Sequence, residues 1–112
     1  MTKRIPRKRT LEQDNPARFD LKDELVRELL AGRVTMGEVG RRVRTEGLHM
    51  SQAEVSKLLG LSRQVVSDIE NDQGNPRLAS LSSYFKLMGF EVSLLPRSRE
   101  ELKAHLNERL ES

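Results

Sequence analysis

The segment from Gln52 to Asn71 constrains the fold most, because its pattern fits two short helices that cross at a sharp angle. Gly60 stands between them, where the turn needs a positive φ, and Leu61 follows as an inward apolar residue. Ser56 is small at the point where the helices are expected to cross. The inner positions of both helices are apolar: Val55, Leu59, Val66 and Ile69. The pattern therefore predicts a tight helical corner with a polar outer face.

Apolar residues at helical spacing predict two helices before this corner. Asp20 is expected to cap a helix over residues 21–30, which Gly32 ends. Thr35 and Glu38 form a capping box for a second helix that closes at Gly47.

Capping residues predict the other helices as well. Ser51 with Glu54 opens the first helix of the corner, and Ser62 opens the second. A further helix is expected to end at Gly89, because Leu78, Leu81, Phe85 and Met88 recur at helical spacing before it. Ser98 is expected to cap a last helix that carries Leu102, Leu106 and Leu110.

The stretch from Phe90 to Leu95 alternates and lies between Gly89 and Pro96, which predicts a strand. A lone strand leaves its backbone unpaired, so it needs a partner. The simplest partner is the same strand of a second subunit, giving an antiparallel ribbon through Phe90, Val92 and Leu94. Pairing with an extended N-terminal segment of the same chain is the alternative.

The positive charge is concentrated at one end. Five of the 20 Lys and Arg residues lie within residues 1–10, where there is no acid: Lys3, Arg4, Arg7, Lys8 and Arg9. The other 15 face 17 acidic residues, so the rest of the chain is net −2. We interpret residues 1–19 as a flexible arm that neutralises DNA phosphates. A solvated tail that aids solubility is the alternative.

Composition argues against other classes. The chain has no cysteine, and no apolar run approaches the roughly 20 residues of a membrane span. No Gly-rich phosphate loop, nucleophile motif or metal-spaced cluster occurs, and His49 and His105 stand alone. We therefore expect a non-enzymatic, cytoplasmic and nucleoid-associated protein with no cofactor and no metal.

A resemblance supports this interpretation. The Ser51–Glu54, Leu58–Gln64 and Val66–Asn71 stretches resemble the helix-turn-helix of Cro and phage repressors, the Xre-type family. The resemblance extends from about Met36 to Met88 and implies a core of four or five helices. It also implies that the helix from about Ser62 to Asn71 enters the major groove of DNA.

The resemblance assigns roles position by position. Base edges would be contacted by Arg63, Gln64, Ser67 and Asp68. The DNA backbone would be contacted by Ser51, Gln52, Ser62, Asn71 and Arg77.

Asp68 departs from the family pattern, where a basic or neutral residue is common. It either accepts from cytosine N4 or braces Arg63 or Gln64. Residues 51–75 contain two cations and four carboxylates, so this unit has a net charge of −2. Its non-specific affinity for DNA is therefore expected to be weak.

A helix-turn-helix core followed by a strand such as Phe90 to Leu95 resembles the antitoxins that partner HipA-type kinases. This resemblance implies a toxin partner and autoregulation. The last helix would pack on the toxin, on the sister subunit or on its own domain, and the helix over residues 21–30 has the same alternatives.

Together these features predict an all-α bundle of about five helices, a strand for an intersubunit ribbon, and a terminal helix. The expected divisions are a basic arm at 1–19, a DNA-binding domain at 20–89 and a dimerisation segment at 90–112. We expect a homodimeric repressor that binds a palindromic operator in double-stranded DNA, autoregulates, and acts as an antitoxin. The alternatives are a toxin-neutralising interaction module that binds DNA secondarily, and a plain prophage regulator.

Overall fold

The structure, a computed structural model, describes residues 16–111, with side chains from 20 to 108. Six α-helices follow one another along this part of the chain: α1 Pro16–Leu30, α2 Met36–Arg42, α3 Gln52–Leu59, α4 Arg63–Glu70, α5 Leu78–Leu87 and α6 Arg99–Glu111. A π-helical turn, Val43–Gly47, continues directly from α2. The helical bundle predicted from the sequence is confirmed.

Helix α1 begins earlier than the sequence predicts. The predicted cap at Asp20 is wrong, because the helix starts at Pro16 and Asp20 lies inside it. Proline suits the first helical position, where its fixed φ fits and no backbone N–H is needed. The predicted end is confirmed: the Gly32 amide donates to the Leu29 carbonyl over 3.0 Å, and Arg33 to Glu28 over 2.9 Å, a Schellman pair.

Helix α2 crosses close to α5 and to the end of α4. The predicted capping box of Thr35 and Glu38 is present at its start. Gly40 is buried against the Tyr84 ring, and a Cβ at that position would lie 2.5 Å from ring atoms. A larger residue would therefore push α2 away from the core.

The predicted caps of the helical corner are also confirmed. Ser51 and Glu54 form a capping box for α3, and the Ser62 hydroxyl accepts the Val65 amide at the start of α4. The helix predicted from Leu78, Leu81, Phe85 and Met88 is present as α5; Phe85 and Met88 are buried, whereas Leu78 is 67% exposed. It is the first residue of α5, ahead of the turn that enters the core.

The core gathers one face from each of the first five helices. Its buried apolar residues are Leu25, Val39, Val43, Leu48, Met50, Val55, Val66, Ile69, Tyr84, Phe85, Leu87 and Met88. This core fixes α3 and α4 against α2 and α5, and leaves the outer side of α4 uncovered.

Residues 16–111 contain no β-strand. The stretch from Phe90 to Leu95, which follows α5, is irregular. The predicted intersubunit ribbon is therefore not seen in the single chain. The Ser98 hydroxyl accepts the Glu101 amide over 3.1 Å and caps α6 as predicted. Leu102 is half-buried, whereas Leu106 is 50% exposed; the side chain of Leu110 lies outside the described part.

Candidate nucleic-acid interface

The corner between α3 and α4 has the geometry that its sequence predicts. Gly60 adopts φ 69° and ψ 27°, a left-handed conformation that a side chain disfavours. Nothing lies within 4 Å of a Cβ placed there, so backbone conformation, not crowding, favours glycine. The Leu61 amide donates to the Ser56 carbonyl over 3.1 Å, and the Ser56 hydroxyl donates to the Leu61 carbonyl over 2.5 Å. These two bonds fix the angle at which α4 leaves α3.

Helix α4 separates a packing face from an outer face. Val66, Ile69 and Glu70 are buried. The four residues predicted to contact bases lie together on the outer face, exposed or half-buried: Arg63, Gln64, Ser67 and Asp68. The two longest of these side chains, Arg63 and Gln64, lie in the first turn of α4 and are exposed.

Asp68 braces a neighbour on the same face. Its Oδ1 accepts a hydrogen bond from Gln64 Nε2 over 2.8 Å. Its carboxylate also lies against Gly74, and its carbonyl accepts the Gln73 amide over 2.9 Å. Asp68 was predicted either to accept from cytosine N4 or to brace Arg63 or Gln64. The structure shows the contact with Gln64. The second amide hydrogen and the oxygen of Gln64 remain available for a base edge.

The predicted backbone contacts lie along the ends of the helices. Ser51 and Ser62 use their hydroxyl oxygens as N-cap acceptors, so their O–H groups remain donors. Asn71 donates through Nδ2 to the Ser67 carbonyl over 2.9 Å, which occupies part of its amide. Arg77 is exposed directly before α5.

Gln52 is tied to the interior. Its Nε2 donates to Glu70 Oε1 over 3.0 Å, and Gln52 is half-buried at the start of α3. The amide retains one hydrogen for a phosphate, and the carboxylate fixes its orientation.

Glu70 is the centre of a buried polar network that the sequence analysis missed. Only 3% of the residue is exposed. Arg44 donates through Nε to Glu70 Oε2 over 2.6 Å and through a terminal nitrogen to Oε1 over 2.8 Å. Its other terminal nitrogen donates to the Met50 carbonyl over 2.9 Å, and the Tyr84 hydroxyl donates to Glu70 Oε2 over 2.6 Å. No buried side-chain polar atom lacks a partner in the described part of the chain.

The network shifts the ionisation of its members. Burial raises the pKa of Glu70, but hydrogen bonds from Arg44, Tyr84 and Gln52 outweigh it and hold the pKa below its ordinary value. The hydrogen bond to Glu70 raises the pKa of Arg44, and burial followed by the Glu70 bond raises the pKa of Tyr84. Glu70 is thus a buried carboxylate that stays charged.

This pairing changes the net charge that the sequence predicts for residues 51–75. Arg44, which lies outside residues 51–75, neutralises Glu70. Two cations then face three carboxylates, and the unit is net −1 instead of −2. Of these three, Glu54 is engaged in the α3 capping box.

Asp72 joins the end of α4 to the start of α2. Its Oδ2 accepts the Thr35 hydroxyl over 2.6 Å, and its Oδ1 accepts the Gly37 amide over 3.0 Å. Asp72 has φ 54°, a positive value that these two bonds help to hold. Its charge is thereby directed at a helix N-terminus instead of at DNA.

The remaining predicted residues divide into two groups. The arm residues Lys3, Arg4, Arg7, Lys8 and Arg9 lie outside the described residues. Of the predicted dimerisation residues, Phe90 is half-buried, Val92 is 37% exposed and Leu94 is 96% exposed.

Residues 16–111 contain no helix long and apolar enough to cross a membrane. The described residues also hold no cluster of three or more His, Asp or Glu side chains arranged for a metal ion.

Residues 41–95 match the model of a helix-turn-helix family. No curated protein and no solved structure matches the chain. The match spans the α3–α4 corner, all of α5 and the segment after it.

Proposed function

Since residues 41–95 belong to the Cro/C1-type helix-turn-helix family, we propose that this protein is a sequence-specific transcriptional repressor that binds a palindromic operator as a dimer. The observation that carries the proposal is the outer face of α4, where Arg63 and Gln64 project from the first turn. Arg suits guanine O6 and N7, and Gln suits adenine N6 and N7.

In this proposal, α4 lies in the major groove and α3 crosses the DNA backbone. Ser51 and Gln52 at the start of α3, and Ser62 at the start of α4, donate to phosphates. Asn71 and Arg77 extend the backbone contacts on the other side of α4. Two copies related by a two-fold axis then contact half-sites about one helical turn apart.

Residues 51–75 counted together with Arg44 are net −1, so the non-specific attraction to DNA has to come from another part of the protein. We assign it to the basic arm, whose five cations release counterions from the DNA. Sequence recognition and overall affinity are therefore supplied by different segments. A protein with these contacts acts in the cytoplasm, on nucleoid DNA.

Footprinting on the promoter of the protein's own gene tests the proposal. We expect protection of an inverted repeat by the full chain, and its loss on Arg63→Ala with Gln64→Ala. The matched control is Lys103→Ala with Asn107→Ala, which also removes a cation and an amide, from exposed positions of α6. Unchanged protection by the α4 variant would remove Arg63 and Gln64 from the interface.

The antitoxin role is a second candidate function, favoured by the exposure of α6. From Arg99 to Glu108 only Leu102 is half-buried, so most of this helix is available to another protein. The test is growth arrest by a gene adjacent to this one, relieved by co-expression of the full chain. Relief that is lost on truncation after Arg97 would assign the contact to α6, whereas the absence of a toxic neighbour favours a plain repressor.

A further inference from the structure

An apolar cleft of about 430 Å³ opens on the described part of the chain between α1, α2, α5 and the segment after α5. Its lining includes Leu29, Met36, Val39 and Phe85 from the helices, and Phe90, Val92 and Leu95 from the segment. Three of these lining side chains, Met36, Val92 and Leu95, are large, apolar and exposed. Leu94, although flanked by lining residues, is 96% exposed.

The backbone beside this cleft is unpaired. Residues 91–95 belong to no helix, and neither their amides nor their carbonyls form a backbone hydrogen bond within the described residues. Phe90 is held in place, because its amide donates to the Phe85 carbonyl over 2.8 Å and Lys22 lies over its ring at 5.5 Å. An apolar segment with free backbone groups fits the addition of a strand better than that of a helix or a small molecule.

A second copy of the segment matches it in one antiparallel register. With Val92 opposite the partner's Val92, Phe90 stands opposite the partner subunit's Leu94, and Glu91 opposite the partner subunit's Ser93. Apolar residues then oppose apolar residues and polar residues oppose polar ones. Directly opposed side chains project from the same side of a ribbon, so the partner subunit's Leu94 lies beside Phe90 at the cleft.

The neighbouring registers are worse. Centring the ribbon on Glu91 places two like charges opposite each other, which destabilises a pair. Moving the two-fold axis to a point between Val92 and Ser93 places Glu91 opposite the partner's Leu94. Centring on Ser93 opposes Phe90 with Pro96, which has no N–H to donate.

We propose that two copies pair through residues 90–94 with Val92 on the two-fold axis, and that the Leu94 side chain of each covers the apolar cleft of the other. This inference rests on the dimer in the proposed function and adds its register and the site that receives Leu94. The exposed leucine and the open cleft are complementary halves of one symmetric contact.

Single cysteines test the register, since the chain has none of its own. Val92→Cys places two thiols opposite each other, with Cα atoms about 4.5–5.5 Å apart, within disulfide range. Ser93→Cys places them diagonally at about 7–8 Å, beyond it. We expect Val92→Cys to cross-link at least about ten-fold faster under mild oxidation. Faster cross-linking of Ser93→Cys would overturn the register.

Leu94→Glu tests the cleft, measured as the dissociation constant of the dimer by sedimentation. We expect an increase of at least about ten-fold, because two buried leucines are lost per dimer. The control is Leu58→Glu on α3, where a leucine is 54% exposed away from the cleft, and no change is expected. A wild-type monomer at micromolar concentration would overturn the proposed dimer as well. A wild-type dimer that Leu94→Glu leaves intact would overturn only this inference.

Discussion

Gln52 Nε2 donates a hydrogen bond to Glu70 Oε1 over 3.0 Å, so a side chain assigned to the DNA backbone is oriented by a carboxylate in the core. The same carboxylate accepts two bonds from Arg44. In the proposed complex, the backbone contact of Gln52 and the stability of the fold therefore both depend on Glu70.

We expect Glu70→Gln to destabilise the domain by about 3–5 kcal/mol, because it leaves Arg44 buried without a counter-charge. Urea unfolding measures this change. The control is Asp23→Asn, which breaks an ion pair with Arg27 on the exposed face of α1 and should cost a small fraction of that. Equal effects of the two variants would contradict a structural role for the buried pair.

The pH dependence of stability follows from the lowered pKa of Glu70. A carboxyl whose pKa is lower when folded than when unfolded stabilises the fold above its unfolded value, and this contribution is lost as the pH falls through the folded value. We expect the free energy of unfolding to fall as the pH drops below 4.5, the ordinary pKa of Glu.

Thermal unfolding of the wild type and of Glu70→Gln across this range measures that contribution. Glu70→Gln lacks the titrating group, so its curve should be flatter. If the stability of the two proteins falls with the same slope at acid pH, carboxylates other than Glu70 cause this loss of stability. Glu46 is one of these, since its hydrogen bond with Arg42 also lowers its pKa.

Asp68→Ala is expected to relax base discrimination at the position that Gln64 contacts. Without the 2.8 Å bond, the Gln64 amide is free to rotate, and up to about 1–3 kcal/mol of preference for one base pair is lost there. Asp68→Asn keeps an acceptor for the Gln64 amide and should restore discrimination. Competition with single-base variants of the operator gives the measurement. Wild-type discrimination by Asp68→Ala would mean that Asp68 does not position Gln64.

Deleting residues 1–10 is expected to reduce the salt dependence of operator binding. Five cations contribute up to about 4–5 to the slope of log K against log salt if all of them contact phosphates. The control is an arm with the same residues in permuted order, which should keep the slope. An unchanged affinity and slope after deletion would show that the arm stays away from DNA.

Most of the fold could be predicted because its helix ends are encoded locally. Thr35, Ser51 and Ser62 each cap the helix that follows them, and short-range patterns suffice to find such residues. The start of α1 was missed because Asp20 is a good cap in isolation, whereas Pro16 begins the helix one turn earlier. The strand could not be tested in one chain, since its pairing depends on a second molecule.

The candidate site was predicted less completely. The outer positions of α4 follow from helical periodicity, but the buried ion pair does not, because charged residues are expected outside. A signal was nevertheless present. Glu70 lies four residues after Val66, and Tyr84 three after Leu81, so both fall on inner faces.

The two faces of α4 also make the protein easy to redirect. Arg63 and Gln64 face outward and add nothing to the core, whereas Val66, Ile69 and Glu70 hold the helix in place. In the proposed function, exchanging the outward residues would change the operator sequence that the protein binds and would leave its core unchanged. After a duplication of this gene, a few substitutions at these positions would therefore give a second regulator that binds a different operator.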